Sequence, residues 1–126
     1  MSLIEQDVKY PIFLRDRAGV VYQFQSESDF IFKVSPIEIE LGEFRGWDRE
    51  GYRLSLTVGD ESPSAARLTG KLEMEQLLVA ILEYPKIRTG NSYSQKSANK
   101  DPVTLFHAVE RFIECNPASF WWKLFD

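Results

Sequence analysis

One turn signature occurs twice in this chain, each time between apolar arms, and it limits the fold more than any other feature. Residues 43–58 read Glu-Phe-Arg-Gly-Trp-Asp-Arg-Glu-Gly-Tyr-Arg-Leu-Ser-Leu-Thr-Val. After the turn, Tyr52, Leu54, Leu56 and Val58 alternate with Arg53, Ser55 and Thr57, which is the period of a strand with one buried face. Asp48-Arg49-Glu50-Gly51 sits between the arms. The carboxylate accepts nearby backbone N–H groups at the first turn position, and glycine supplies the positive φ that closes the loop. Asp16-Arg17-Ala18-Gly19 repeats the device between Ile12-Phe13-Leu14 and Val20-Val21-Tyr22-Gln23-Phe24. Internal duplication and convergence on a common turn both explain the pair. Two such hairpins imply an antiparallel sheet.

A chain of 126 residues is one domain, here residues 1–126. Residues 1–10 read as a lead-in that joins the first strand near Val8–Tyr10, with strands at about 11–15 and 20–24. Ser26 is an N-cap candidate with Asp29 three positions on, and Phe30, Ile31 and Val34 would face the sheet until Pro36 ends that helix. Glu38-Ile39-Glu40-Leu41 alternates as a brief strand or extended connector would, with Glu38 and Glu40 on its outer face. Gly59 to Pro63 has turn composition, and Ala65 to Thr69 suits a short strand or a helix.

Residues 72–84 carry Met74, Leu77, Leu78, Ala80, Ile81, Leu82 and Tyr84 on a wide helical arc, ended by Pro85. Residues 85–100 form a long polar loop bearing Lys86, Arg88, Lys96 and Lys100 and no acidic residue. A loop this long inside a compact domain is usually functional or disordered. Asp101-Pro102 starts a helix to about Cys115, with Leu105, Phe106, Val109, Phe112 and Ile113 as its buried stripe. Asn116-Pro117 repeats that start before a short helix with Phe120, Trp121, Trp122, Leu124 and Phe125. The expected fold is α+β: an antiparallel sheet of four to six strands, mostly from the first half, with two Asp-x-x-Gly hairpins, covered by about three to four helices from the second.

Chemistry is sparse. A net charge of −4 argues against a general nucleic-acid binder. One cysteine excludes an internal disulfide, and no Cys/His cluster suggests zinc. No run approaches the ~20 apolar residues that span a bilayer, and the acidic start lacks the features of a signal peptide, so a cytoplasmic setting is expected, with no membrane association. His107 is the one histidine, with Glu110 and Glu114 on its helical face, a pattern that belongs first to a solvated helix face and only then to a general base. Cys115 has no evident base and suits a small core residue. Ser97-Ala98-Asn99-Lys100 matches a bare S-x-x-K without its supporting motifs, and Thr69-Gly70-Lys71 lacks the upstream glycine of a phosphate loop. No catalytic residue and no cofactor is expected.

The order of parts resembles a known group. Phe13-Leu14-Arg15 is followed by Asp-x-x-Gly, Val-Tyr-x-Phe and a Ser-capped helix. Then Pro-Ile-Glu-Ile-Glu-x-Gly-Glu-Phe leads to Trp-Asp-x-x-Gly and a Leu-rich helix. Over about residues 12–84 this is similar to small bacterial proteins of uncharacterised type, some of which resemble immunity partners of secreted toxins. The resemblance implies a non-enzymatic protein that works by contact. The resemblance carries over no site residue; the candidate partner-binding residues, Trp121, Trp122, Tyr93, Lys96 and Lys100, come from the basic loop and the aromatic tail. Trp is enriched at binding hot spots, and the acidic first half, including Asp7, Asp16, Glu27, Asp29, Glu38, Glu40, Glu43, Asp48 and Glu50, offers a negative surface to a basic partner. Two other readings stay open. One is a small anionic-ligand or enzyme domain with residues 85–100 as a lid and Lys96, Lys100 or His107 at the ligand. The other is a homo-oligomer, such as a homodimer, sealed by Trp121 and Trp122.

Overall fold

Both Asp-x-x-Gly turns form, and they share one hydrogen-bond pattern. The computed structural model describes residues 8–60, 62–93 and 101–115. In the first turn, Asp16 Oδ1 accepts from the N–H groups of Ala18 and Val20, and the Gly19 N–H donates to the Asp16 carbonyl. In the second, Asp48 Oδ1 accepts from Glu50 and Tyr52, and the Gly51 N–H donates to the Asp48 carbonyl. Gly19 and Gly51 take φ of +97° and +87°. Gly51 has a second reason to be glycine, because a Cβ there would lie 2.8 Å from the Met74 Cα.

The turns organise a five-stranded antiparallel sheet. Its strands are β1 (Ile12–Arg15), β2 (Val21–Phe24), β3 (Arg45–Trp47), β4 (Tyr52–Gly59) and β5 (Ser62–Leu72), in the order β2-β1-β3-β4-β5. Residues 65–69, ambiguous by composition, belong to β5. The sheet is covered on both faces, one of them by first-half helices, which differs from a cover drawn from the second half. On one side, α1 (Glu27–Lys33) and α2 (Pro36–Glu40) enclose Ile12, Leu14, Phe24, Phe30, Val34, Ile39 and Leu54. On the other, α3 (Met74–Thr89) and α4 (Pro102–Glu114) enclose Phe13, Val21, Trp47, Leu77, Ile81, Leu105, Phe106 and Val109. Period-two alternation explains the split, since Ile12 and Leu14 point one way and Phe13 the other. Within the second core, Phe106 stacks on Tyr84 and meets Phe13 edge-on.

Three local expectations change. Residues 36–40 are helical, so Glu38 and Glu40 are not on a strand. Pro36 occupies the first turn, and Glu38 Oε1 accepts from the Ser35 N–H at 2.9 Å, which satisfies a donor that an extended segment would not need. Ser26 caps α1 as expected, accepting from the Asp29 N–H at 3.2 Å, but Ile31 is 39% exposed while Phe30 and Val34 are buried. Pro85 does not end α3, which runs on to Thr89 and takes in Lys86 and Arg88. The proline ring costs a helix about 3 kcal/mol in hydrogen bonding and steric clash. Here the ring is fully buried, and burial offsets that cost. Gly90, at φ +81°, caps the helix instead.

Asp48 is 0% exposed, which removes it from any acidic surface. Its Oδ2 accepts from Arg67 Nε at 2.6 Å and from the Lys9 N–H at 3.1 Å. Arg67 also donates to Glu50 at 2.8 Å and lies 4.2 Å over the Tyr52 ring. Burial works against the Arg67 charge, but the hydrogen bonds and charges of Glu50 and Asp48 outweigh it and raise its pKa. The lead-in is thereby tied at Lys9, whose carbonyl also accepts from the Arg49 N–H at 2.9 Å.

Asp48→Ala strands the Arg67 cation with only half-exposed Glu50, and is expected to cost about 3–5 kcal/mol. Asp16→Ala removes the same turn bonds from the more open copy, and is expected to cost about 1–2 kcal/mol. Urea unfolding measures both. Equal losses would mean that the turn bonds alone explain Asp48.

Candidate functional site

Helices α3 and α4 pack over β2, β1 and β3, and no residue of β4 or β5 enters their core. Among the described residues, that leaves one face of the β4–β5 half without a helix. The open face carries Ser55 and Thr57 from β4, paired with Ala66 and Ser64 from β5. The Thr57 and Ser64 hydroxyls meet across the strands at 2.9 Å. All four side chains are small, so the surface is flat and the main chain accessible.

Three arginines stand where this open face meets the covered one. Arg15 closes β1 and lies opposite Arg45, the first residue of β3. Arg53 on β4 lies opposite Trp47. The three share the face of Phe13 and Trp47, but they sit past the apolar cover that α3 gives those rings. Arg53 approaches Glu73 at 3.7 Å, and Glu73 also accepts from Trp47 Nε1 at 3.0 Å. The Nε atoms of Arg15 and Arg53 are buried without a hydrogen-bond partner. Cavities of about 360 Å³ and 350 Å³ flank the group, and both are lined by Arg15 and Arg45.

The residues singled out by sequence do not converge. Trp121, Trp122, Lys96, Lys100, Asp7 and the Ser97–Lys100 stretch lie outside the described residues. Tyr93 is half-buried and meets the Phe112 ring edge-on at 5.4 Å, so much of its surface is spent on packing. His107 is exposed on α4. Burial raises the pKa of nearby Glu110; the His107 and Arg88 charges lower it, and Glu114 raises it further. Cys115 is free and exposed at the end of α4, not a core residue. Lys86 and Arg88 ride on the last turn of α3, and Arg88 donates to the Tyr84 hydroxyl at 2.9 Å. Among the described residues no three metal-ligating side chains converge, and no helix is long and apolar enough to cross a membrane.

A separate cleft of about 530 Å³ runs between β2 and α2, with Tyr22, Lys33, Glu38 and Leu41 on its walls. The Tyr22 hydroxyl donates to Asp16 Oδ2 at 3.0 Å. Its pKa is pushed up to about 12, first by burial and then by the hydrogen bond and charge of Asp16, with Tyr84 and Glu38 adding to it. Apolar side chains are also exposed on the outer side of α1 and α2: Phe32 is 86% exposed, with Ile37 and Leu41 near it in the chain.

No protein-family model, curated protein or solved structure matches the chain.

The Tyr22 phenol loses its proton near 10.0 when unfolded and near 12 when folded. Its contribution to stability is complete below pH 10 and is lost as the pH rises toward 12. Tyr22→Phe is therefore expected to flatten the fall of stability across that window, measured by urea unfolding at several pH values. An unchanged slope would contradict the Asp16–Tyr22 contact.

Proposed function

We propose that this protein is a non-enzymatic binding module, and that its partner adds an extended segment to the free edge of β5. The observation that carries this reading is the strand itself. It spans eleven residues, of which residues 62–67 pair regularly with β4 before an irregularity. Among the described residues it lies at the end of the sheet, and it bears Ser64, Ala65 and Ala66 where an edge strand is commonly blunted by charge.

The ladder's phase supports the choice of edge. Gly59 pairs with Ser62 across the turn, and Asp60 takes φ 49°, as a tight hairpin requires. Pro63 has no N–H to give to β4, so its main chain faces away from that strand. Alternation then turns Ala65 and Arg67 outward and leaves Ser64 and Ala66 bonded to β4. Outward main-chain groups give affinity in strand addition, and the side chains beside them give selectivity. Leu68 and Leu72, 37% and 59% exposed, flank this stretch as apolar contacts. Residues 12–84 resemble small bacterial proteins of uncharacterised type, some of which resemble immunity partners, and this suggests a class for the partner, a secreted toxin domain that this protein would cover. In this reading binding blocks the toxin and breaks no bond.

Ala65→Pro removes an outward N–H, while Ala65→Thr keeps it. Tagged protein and both variants would be used to capture partners from source-cell extracts, with melting temperatures measured alongside. The expected result is one stoichiometric partner held by the parent and Ala65→Thr and lost by Ala65→Pro, with all three melting within a few degrees. Capture unaffected by Ala65→Pro contradicts strand addition. A dimer by light scattering that becomes monomeric in Ala65→Pro replaces the foreign partner with a second copy of the chain.

A further inference from the structure

The geometry points to an oxyanion-binding site formed by Arg15, Arg45 and Arg53, which line one cavity from the neighbouring strands β1, β3 and β4. Arg15 and Arg45 are direct cross-strand partners. Like charges placed opposite one another destabilise a sheet unless something neutralises them. Among the described residues, neither guanidinium has an ion pair within 4.0 Å.

The carboxylates close enough to do so are engaged elsewhere. Asp16 holds two turn amides and the Tyr22 hydroxyl. Glu43 lies 4.0 Å from Arg17. Glu73 takes the Trp47 indole and Arg53. Glu75 and Glu83 line the larger cavity, yet neither comes within ion-pair distance of Arg15 or Arg45. The smaller cavity is therefore lined by four arginines (Arg15, Arg17, Arg45 and Arg53) against Asp16 and Glu43, on a chain whose net charge is −4, while Glu75 and Glu83 match the two arginines of the larger one.

The buried Nε atoms of Arg15 and Arg53 add a second observation. A buried donor with no acceptor costs free energy, and each Nε–H would gain one if its guanidinium turned its fork toward an oxyanion in the adjoining cavity. Guanidinium forks match the paired oxygens of phosphate and carboxylate, and they bind both more strongly than a neutral donor does. The shared chemistry is a single oxyanion group, from a phosphate or from a small or chain-terminal carboxylate. The site is separate from the β5 edge and stands or falls without it.

The test is NMR of the arginine Nε–Hε groups in the intact protein, titrated with sodium phosphate and, in a second arm, with sodium acetate. Sodium chloride of equal ionic strength is the control. The expected result is a saturable shift of the Arg15 and Arg53 signals in at least one arm, and the responding arm names the source of the oxyanion. Arg45→Gln is expected to weaken that binding about tenfold or more, as loss of a charge-assisted fork should. Arg45 is exposed at a strand end, and an unchanged backbone spectrum will verify that the variant is folded. Shifts no larger than with chloride, or an affinity that Arg45→Gln leaves unchanged, would overturn the site.

Discussion

The Asp48 carboxylate is where distant parts of the chain are joined. It closes the β3–β4 turn through two amides, holds the lead-in at Lys9, and anchors β5 through Arg67. A fully buried carboxylate is tolerated only when its acceptor sites are filled and its charge is matched. Here three main-chain N–H groups and the Arg67 guanidinium, four donors in all, meet both conditions. Glu73, next in chain to the end of β5, adds a further link, since its N–H donates to the Gly51 carbonyl and its side chain accepts from Trp47. The start of α3 is thus fixed against the same turn. The upstream copy at Asp16 has the same turn bonds but only the Tyr22 hydroxyl on its second oxygen. One motif therefore serves as a core joint in one place and a surface turn in the other.

That joint divides the sheet unequally. The β2-β1-β3 side is enclosed by helices on both faces, and Phe13 and Trp47 are buried there. Among the described residues, the β4–β5 side is backed only by α1 and α2, with short side chains on its other face. Backing on one face keeps the strand rigid, and openness on the other leaves it accessible. Rigid elements are better platforms for recognition than loops, because less ordering is needed on binding. The arginine group lies along the boundary between the two halves, where the helix cover ends.

How much of this was legible follows from how local each feature is. The turns, the Ser26 and Asp101 caps and the alternation of β4 depend on neighbouring residues, and sequence sufficed for them. Ile37-Glu38-Ile39-Glu40-Leu41 alternates like a strand, but Ser35-Pro36 with Glu38 held the competing helix-start signal, and that signal won. Pro85 reads as a stop because its cost is local, whereas the burial that offsets the cost is tertiary. The burial of Asp48 depends on Arg67, and the Arg15–Arg45 pair depends on β1 lying beside β3. Neither contact is written into any short stretch. Arg15, at the end of an apolar strand, and Arg53, facing away from Leu54, were the available signals for the arginine group. The β5 edge was half legible, since Ala65–Thr69 fits strand or helix until β4 is in place beside it.

Native-state amide hydrogen exchange, read residue by residue, tests the account most directly. The Glu50 and Tyr52 amides, which end on the buried Asp48 carboxylate, should be protected as strongly as the core strands, and so should Ser64 and Ala66. The Ala65 amide, which the ladder's phase turns outward, should exchange orders of magnitude faster than its two neighbours. Uniform protection through residues 64–66 would contradict a free β5 edge, and rapid exchange at Glu50 and Tyr52 would contradict the central role of Asp48.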